Sequence, residues 1–480
     1  MDTSLLKKAY SPEAFREQGH RLVDLLADHL TDTSSGKSNK TIAWNLPEKE
    51  HEYWADFLEN GNEQNFFQTV IARTTHVHNP KYMGHQVAPT APMAALAGLL
   101  SSFLNNGMAV YEMGMSSSAI ERIVTDLLCK KIGFTTSARG FLTSGGTLAN
   151  LTALLSARKA QVEHDVWISG HGEPLGVMVS EEAHYCVDRA ARIMGLGEQG
   201  IIKVPVKTDY SMDTSKLEAC YQKAVEDGIR IFAIVGSAPS TATGIYDDLD
   251  EIAKFAQKHG LWFHVDGAHG GAAIFSKKYS STVKGIECAD SVVIDGHKMM
   301  MMPIITTALL FKNGGHSHTT FSQKADYLLE QAEGEDWYNL AKRTFECTKT
   351  MMSLYWFILF KTYGNAIFDE YVTHQYDLGQ RFGKIIQENP DFELAVPPAS
   401  NIVCFRYITD SLSDDELNIL NKTIRKALLE DGEFYMVQTT LKGIHYLRCT
   451  IMNPFTTEVH LAQLLQKIKK TAKEIELSRV

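Results

Sequence analysis

Apolar positions at helical spacing open the chain. Phe15, Leu22, Val23, Leu25 and Leu26 share one face over residues 11–30, predicting a helix with Pro12 in its first turn. Residues 31–40, rich in Ser, Thr, Gly and Lys, predict a loop. Residues 94–104 are almost wholly apolar but far short of the ~20 residues a membrane span needs, so a buried helix is expected there. The middle third alternates short apolar runs with amphipathic stretches. Strands are predicted at 176–180, 231–236, 261–265, 291–294 and 306–311, with helices at 181–194 and 247–259. That alternation means βαβ units and a mainly parallel sheet, an α/β fold. A helix at 350–363 precedes a change of character. Strands at 401–407 and 445–451 flank a helix at 414–429, and an amphipathic helix follows at 458–475, giving a small α+β tail. Pro397-Pro398 is a weak boundary signal, and no internal repeat or low-complexity segment occurs.

Composition narrows the class. The chain has 480 residues, 44% of them hydrophobic and 22% charged, an ordinary globular balance. A net charge of −10 argues against nucleic acid as a main partner. Residues 1–8 lack the apolar core of a secretory signal. The cysteines number seven, are scattered and contain no C-x-x-C, which suits free thiols in a reducing cytoplasm and gives no zinc signature.

Two segments carry chemistry. His264-Val265-Asp266-Gly267-Ala268-His269 and Asp295-Gly296-His297-Lys298 each close an apolar run at what should be the C-terminal end of a parallel strand, the edge where open α/β sheets bind ligands. Singly, Asp266 reads as a helix cap and Lys298 as a surface lysine. Together they read as a pyridoxal phosphate site: a carboxylate to keep a pyridinium nitrogen protonated, and an amine for a Schiff base with the cofactor aldehyde. A third segment, Thr143-Ser144-Gly145-Gly146-Thr147-Leu148-Ala149-Asn150, puts small residues ahead of a helix, where backbone N–H groups and the helix dipole favour an anion. The cofactor phosphate is a natural guest.

These motifs, with His184 in Glu182-Ala183-His184-Tyr185, residues 401–406, Leu447-Arg448 and Asn453-Pro454, resemble the group II pyridoxal-phosphate-dependent amino acid decarboxylases. That family includes the glutamate, aromatic amino acid, cysteine sulfinate and diaminobutyrate enzymes. The resemblance runs over roughly residues 82–457 and implies fold type I: an N-terminal helical arm and dimerisation segment (1–100), a large cofactor domain (101–365) and a small C-terminal α+β domain (366–480). It implies that Lys298 forms the internal aldimine, Asp266 pairs with the ring nitrogen, His184 stacks on one ring face and Ala268 packs on the other. Gly146 and Thr147 would bind the phosphate with His297 close by, and Thr241 would bring a hydroxyl near the cofactor. It implies a homodimer, with the arm packing across the interface, and a small-molecule amino acid as the substrate, in amino acid metabolism.

The chain also departs from the family pattern. Gly267-Ala268-His269 stands where many members have Ala-Ala-Tyr, and Asp295-Gly296 where many have Asn-Pro. A loop tyrosine usually returns the proton to Cα; residues 324–340 should form that loop and hold Tyr327 and Tyr338, of which Tyr338 is the better candidate. By alignment His85 stands where aromatic decarboxylases carry a tyrosine and glutamate decarboxylases a glutamine. Val77 and Ala109 replace bulky rings. Arg448 matches an arginine that contacts a substrate carboxylate, or is a structural arginine at a domain junction. Fewer rings and more polar atoms imply a polar or acidic substrate. The competing readings are a decarboxylase of aromatic amino acids, or another fold-type-I enzyme: an aldehyde synthase, an aldolase-like lyase or an aminotransferase.

Overall fold

A computed structural model describes residues 3–36, 40–321 and 336–477. In chain order its strands are β1 (Tyr82–Met83), β2 (Arg139–Thr143), β3 (Leu175–Ser180), β4 (Ile201–Val204), β5 (Arg230–Ser237), β6 (Trp262–Asp266), β7 (Ser291–Asp295), β8 (Thr307–Phe311), β9 (Phe392–Leu394), β10 (Ile402–Tyr407), β11 (Tyr435–Leu441) and β12 (Ile444–Thr450). The chain divides into two compact units, each built from discontinuous segments. These boundaries fall at other places than the expected 100/101 and 365/366.

The larger unit comprises Gln86–Gly383 and Val396–Val403. It holds a 7-stranded sheet ordered β2-β8-β7-β6-β5-β3-β4. The pairs β3·β4, β3·β5, β5·β6 and β6·β7 are parallel, whereas β8 runs antiparallel to both β7 and β2. Strands covered on both faces lose the polar alternation, and every residue of β3, β7 and β8 is buried. Their core joins Phe141, Leu154, Val177, Val179, Phe232, Val235, Trp262, Val293 and Leu309. Strand β2 lies at the sheet edge, and a buried ion pair covers its outer backbone. Lys349 Nζ meets Glu121 Oε1 at 2.6 Å, both side chains almost wholly buried. Leu142 N donates to the same Glu121 oxygen at 2.9 Å, and Lys349 Nζ donates to the Leu142 carbonyl. Removing one partner leaves the other charge buried and unpaired. Glu121→Ala should therefore lower unfolding free energy by about 3–5 kcal/mol, read from the midpoint of urea unfolding.

The smaller unit comprises Met1–His85, Lys384–Ala395 and Cys404–Val480. Its 5-stranded sheet is ordered β1-β11-β12-β10-β9, with β1 parallel to β11 and β11 antiparallel to β12. The helices Asp414–Asp431 and Glu458–Leu477 pack against one another, and the first of them lies on β11 and β12.

Several expectations need correction. The helix expected at 11–30 runs from Pro12 to Ser34, through the start of the expected loop, and a short helix, Ser4–Ala9, precedes it. The hydroxyls of Thr31, Thr33 and Ser34 donate to carbonyls four residues back, so these polar side chains turn onto the helix's own backbone. The helix expected at 181–194 begins at Tyr185, because residues 180–183 form a turn closed by Ala183 N on the Ser180 carbonyl. The apolar segment is a helix, Pro92–Leu104, but it is not buried: Leu96, Leu99, Leu100, Phe103 and Leu104 are 46–63% exposed. Tyr327 and most of residues 324–340 lie outside the described residues. No helix of the described residues is long and apolar enough to cross a membrane.

Candidate active site

The carboxyl ends of β5, β6 and β7 open into a cavity of about 200 Å³. Eight of the residues expected at the cofactor line it together: Gly146, Thr147, His184, Thr241, Asp266, Ala268, His297 and Lys298. Asp266 is the last residue of β6, and Lys298 follows the end of β7 by three positions.

One wall is an anion seat. The helix Gly146–Gln161 has Gly145 at its N-cap, with φ +101° and no side-chain cap, so its first-turn amides are open to a ligand. A Cβ on Gly145 would sit 2.6 Å from Ile305 Cδ1, and one on Gly146 would sit 3.2 Å from both Asp295 oxygens. Gly145 needs glycine for its positive φ, and a side chain at Gly146 would press on the Asp295 carboxylate. Glu346 steadies the residues just before this turn. It accepts from Ser144 Oγ at 2.6 Å, Thr143 Oγ1 at 2.9 Å and Ser144 N at 3.1 Å. Burial works against its charge, yet these hydrogen bonds hold its pKa below the usual range.

Opposite stands Asp266, oriented by a chain of hydrogen bonds. Trp262 Nε1 donates to Ser291 Oγ at 2.9 Å. Asn150 Nδ2 donates to the Gly146 carbonyl at 2.9 Å and to Cys186 Sγ at 3.4 Å. That fixes Asn150 Oδ1 as the acceptor from His264 Nε2, at 2.7 Å. Full burial lowers the His264 pKa to about 4, so its ring is neutral and Nδ1 must accept from Ser291 Oγ at 2.8 Å. The chain ends where Cys186 Sγ donates to Asp266 Oδ2 across 3.8 Å, while Ala268 N donates to Oδ1 at 3.2 Å. Burial raises the Cys186 pKa and so keeps it a thiol.

His184 caps the helix Tyr185–Ile193, its Nδ1 accepting from Cys186 N at 3.3 Å. Burial lowers its pKa, partly offset by Asp266, which favours a neutral ring with its proton on Nε2. Lys298 Nζ lies 3.0 Å from Asp295 Oδ2. Burial opposes charge on Lys298, but the carboxylates of Asp295 and Asp266 outweigh it and raise its pKa. His297 Nδ1 lies 3.0 Å from the Thr306 carbonyl oxygen.

The donor set fits pyridoxal phosphate. It offers an amine for an aldehyde, a carboxylate for a ring nitrogen and open amides for a phosphate, all around one cavity too tight for side chains at Gly145 and Gly146.

Three expected residues are not among those that line this cavity. Tyr338 is absent from the cavity lining; its ring meets Tyr111 edge-on at 5.5 Å and Trp337 at 5.7 Å. His85 and Arg448 belong to the smaller unit. There His85 stands 5.9 Å from the Tyr435 ring, and its pKa is lowered by burial and by the cations Arg448 and Arg425. Arg448, on β12, is buried, and its Nε and Nη2 have no hydrogen-bond partner among the described residues. Sequence reasoning passed over Asn150, Cys186, Asp295 and His269, all in the cavity lining. Asn150 and Asp295 were within the motifs already singled out, so their type and place were the available signal.

Comparison with known proteins identifies the family. Residues 46–408 match the pyridoxal-dependent decarboxylase conserved domain. An aromatic-L-amino-acid decarboxylase of Bacillus atrophaeus is 29% identical, over 98% of this chain and 97% of its own length. An L-aspartate decarboxylase of Metarhizium robertsii is 30% identical, over 72% and 70%. Among solved structures, the glutamate decarboxylase domain of a diaminobutyrate-pyruvate transaminase and L-2,4-diaminobutyrate decarboxylase from Vibrio parahaemolyticus superposes with a TM-score of 0.81 at 28% identity, covering 93% of this chain and 95% of that one. The fold is therefore that of the fold-type-I decarboxylases, and the chain belongs to the pyridoxal-dependent decarboxylase family, as a carboxy-lyase that uses pyridoxal phosphate on an amino acid.

Proposed function

We propose that this chain decarboxylates an L-amino acid with a polar or acidic side chain to the amine and CO₂. The observation that carries the substrate class is Arg448, a buried guanidinium with two nitrogens lacking partners among the described residues. Burial lowers its pKa, and a buried charge without a counter-ion is costly until an anion arrives. A substrate carboxylate is such an anion. His85 beside it supplies a polar atom where aromatic substrates would favour a ring.

In this reading Lys298 holds the cofactor covalently, Asp266 faces its ring nitrogen, and His184 and Ala268 flank the ring. Gly146 and Thr147 receive the phosphate, with His297 and Thr241 at its margin. Pyridoxal phosphate supplies the electron sink for the bond that breaks. Asp266 keeps a proton on the ring nitrogen, and the Trp262-to-Cys186 chain keeps that carboxylate in one orientation. A homodimer in the cytoplasm completes the proposal. The exposed apolar face of the helix Pro92–Leu104 supports it, since monomers rarely leave so contiguous a patch in water.

The test is kcat/KM for glutamate, aspartate and cysteine sulfinate against tryptophan and dihydroxyphenylalanine. Preference for the first group is expected. Efficient turnover of the aromatic pair with none of the polar set would assign the substrate to the aromatic class and leave the cofactor site intact. His85→Ala should raise KM for the preferred substrate about 10-fold while lowering kcat less, the mark of a lost ground-state contact. An unchanged KM would remove His85 from the substrate site.

A further inference from the structure

Asp295 is the least explained group in the cavity. It is 1% exposed, and both its oxygens are engaged. Oδ1 accepts from Thr307 Oγ1 at 2.5 Å, and Oδ2 stands 3.0 Å from Lys298 Nζ and 3.6 Å from His297 Nε2. Its own backbone N–H donates to the Ala268 carbonyl at 3.0 Å, so the carboxylate is fixed by strand pairing, by Thr307 and by the loop after β6. A carboxylate so placed acts on one atom above all, the lysine nitrogen.

We propose that Asp295 is the counter-ion of the Lys298 nitrogen in the loaded enzyme, a carboxylate that holds the lysine–cofactor imine protonated and so keeps it electrophilic toward the substrate amine. The inference rests on the assignment of Lys298 as the cofactor lysine. It adds a second carboxylate with a separate role, since Asp266 serves the ring nitrogen and Asp295 the imine nitrogen. The charges balance. The net condensation of the protonated lysine with the aldehyde would release water and leave one proton and one positive charge on Nζ, which Asp295 would neutralise. When the substrate amine displaces Lys298, the imine proton stays within the site and the freed lysine amine again faces Asp295.

The groups around Nζ are few. Asp295 and His297 approach from the end of β7, and Asp266 from the end of β6, with His269 in the loop beyond. His184 and Cys186 approach from the start of the helix Tyr185–Ile193; the helix Gly146–Gln161 brings only the neutral Gly146, Thr147 and Asn150 to the lining. Burial keeps Cys186 a thiol and favours a neutral His184. Of the groups facing Nζ, Asp295 is the carboxylate within direct hydrogen-bond distance. An opposite charge this close moves a titration by about one to three pH units.

The experiment is a spectrophotometric pH titration of the imine band in holoenzyme and in the near-isosteric Asp295→Asn. Wild type should keep the protonated band well into alkali, and Asp295→Asn should lose it about one to three pH units lower. Thr307→Val, which leaves the charge but frees Oδ1, should shift the titration in the same direction by less. It also serves where Asp295→Asn does not fold. An unchanged or higher titration midpoint in either variant overturns the role of Asp295. Absence of any imine band in wild type would instead overturn the assignment of Lys298, a different outcome.

Discussion

Lys298→Ala is expected to abolish turnover and the near-visible absorbance of the lysine–cofactor imine while leaving the far-UV circular dichroism unchanged. Lys298 follows β7 in a buried turn, and its amine lines the cavity that also contains Asp266 and the open end of the helix Gly146–Gln161. A methyl group there removes the only atom of the cavity lining that condenses with an aldehyde. The backbone does not depend on it: the turn is closed by Met301 N on the Lys298 carbonyl and by Met302 N on the Gly296 carbonyl. Retention of a borohydride-reducible adduct in the variant would move the Schiff base to another lysine.

Asp266→Asn should keep cofactor bound and lower kcat on the order of 10²–10³-fold. In the proposed assignment the carboxylate, at the end of β6, would face the ring nitrogen, and losing a close counter-charge shifts such a pKa by one to several units, each about tenfold in protonated fraction. The sign follows: the ring nitrogen's pKa falls, so the remaining activity of the variant should rise as pH is lowered. Near-normal turnover, or activity that rises with pH instead, would show that Asp266 does not pair with the ring. The network behind it predicts a graded effect too, since Asn150 and Cys186 orient a carboxylate that they do not replace.

The chemistry was legible where a residue's type and its position at a strand end suffice. Continuous apolar runs such as 291–294 announce strands buried on both faces, and the polar residue that ends each run must then stand at the sheet edge. Asp266 and Lys298 were readable for that reason, as was the glycine turn before Thr147. What the sequence withheld depends on distance through space. Nothing along the chain says that Asp295 lies against Lys298 rather than Asp266, because the two carboxylates end adjacent strands and look alike. Arg448 reads as any arginine in a strand; that two of its nitrogens lack partners among the described residues appears only once β12 lies between β10 and β11. The edge strand β2 was hidden beside a more conspicuous loop, since five residues leading into a glycine turn carry little periodicity. The apolar helix Pro92–Leu104 was read as buried because composition reports a need for cover without saying which surface supplies it.

The central claim is that the cavity at the ends of β6 and β7 is where the cofactor is held and the amino acid reacts. Borohydride reduction of the holoenzyme, followed by peptide mass spectrometry, tests it most directly. A single phosphopyridoxyl label on Lys298 is the predicted result, and a label on any other lysine would contradict the account.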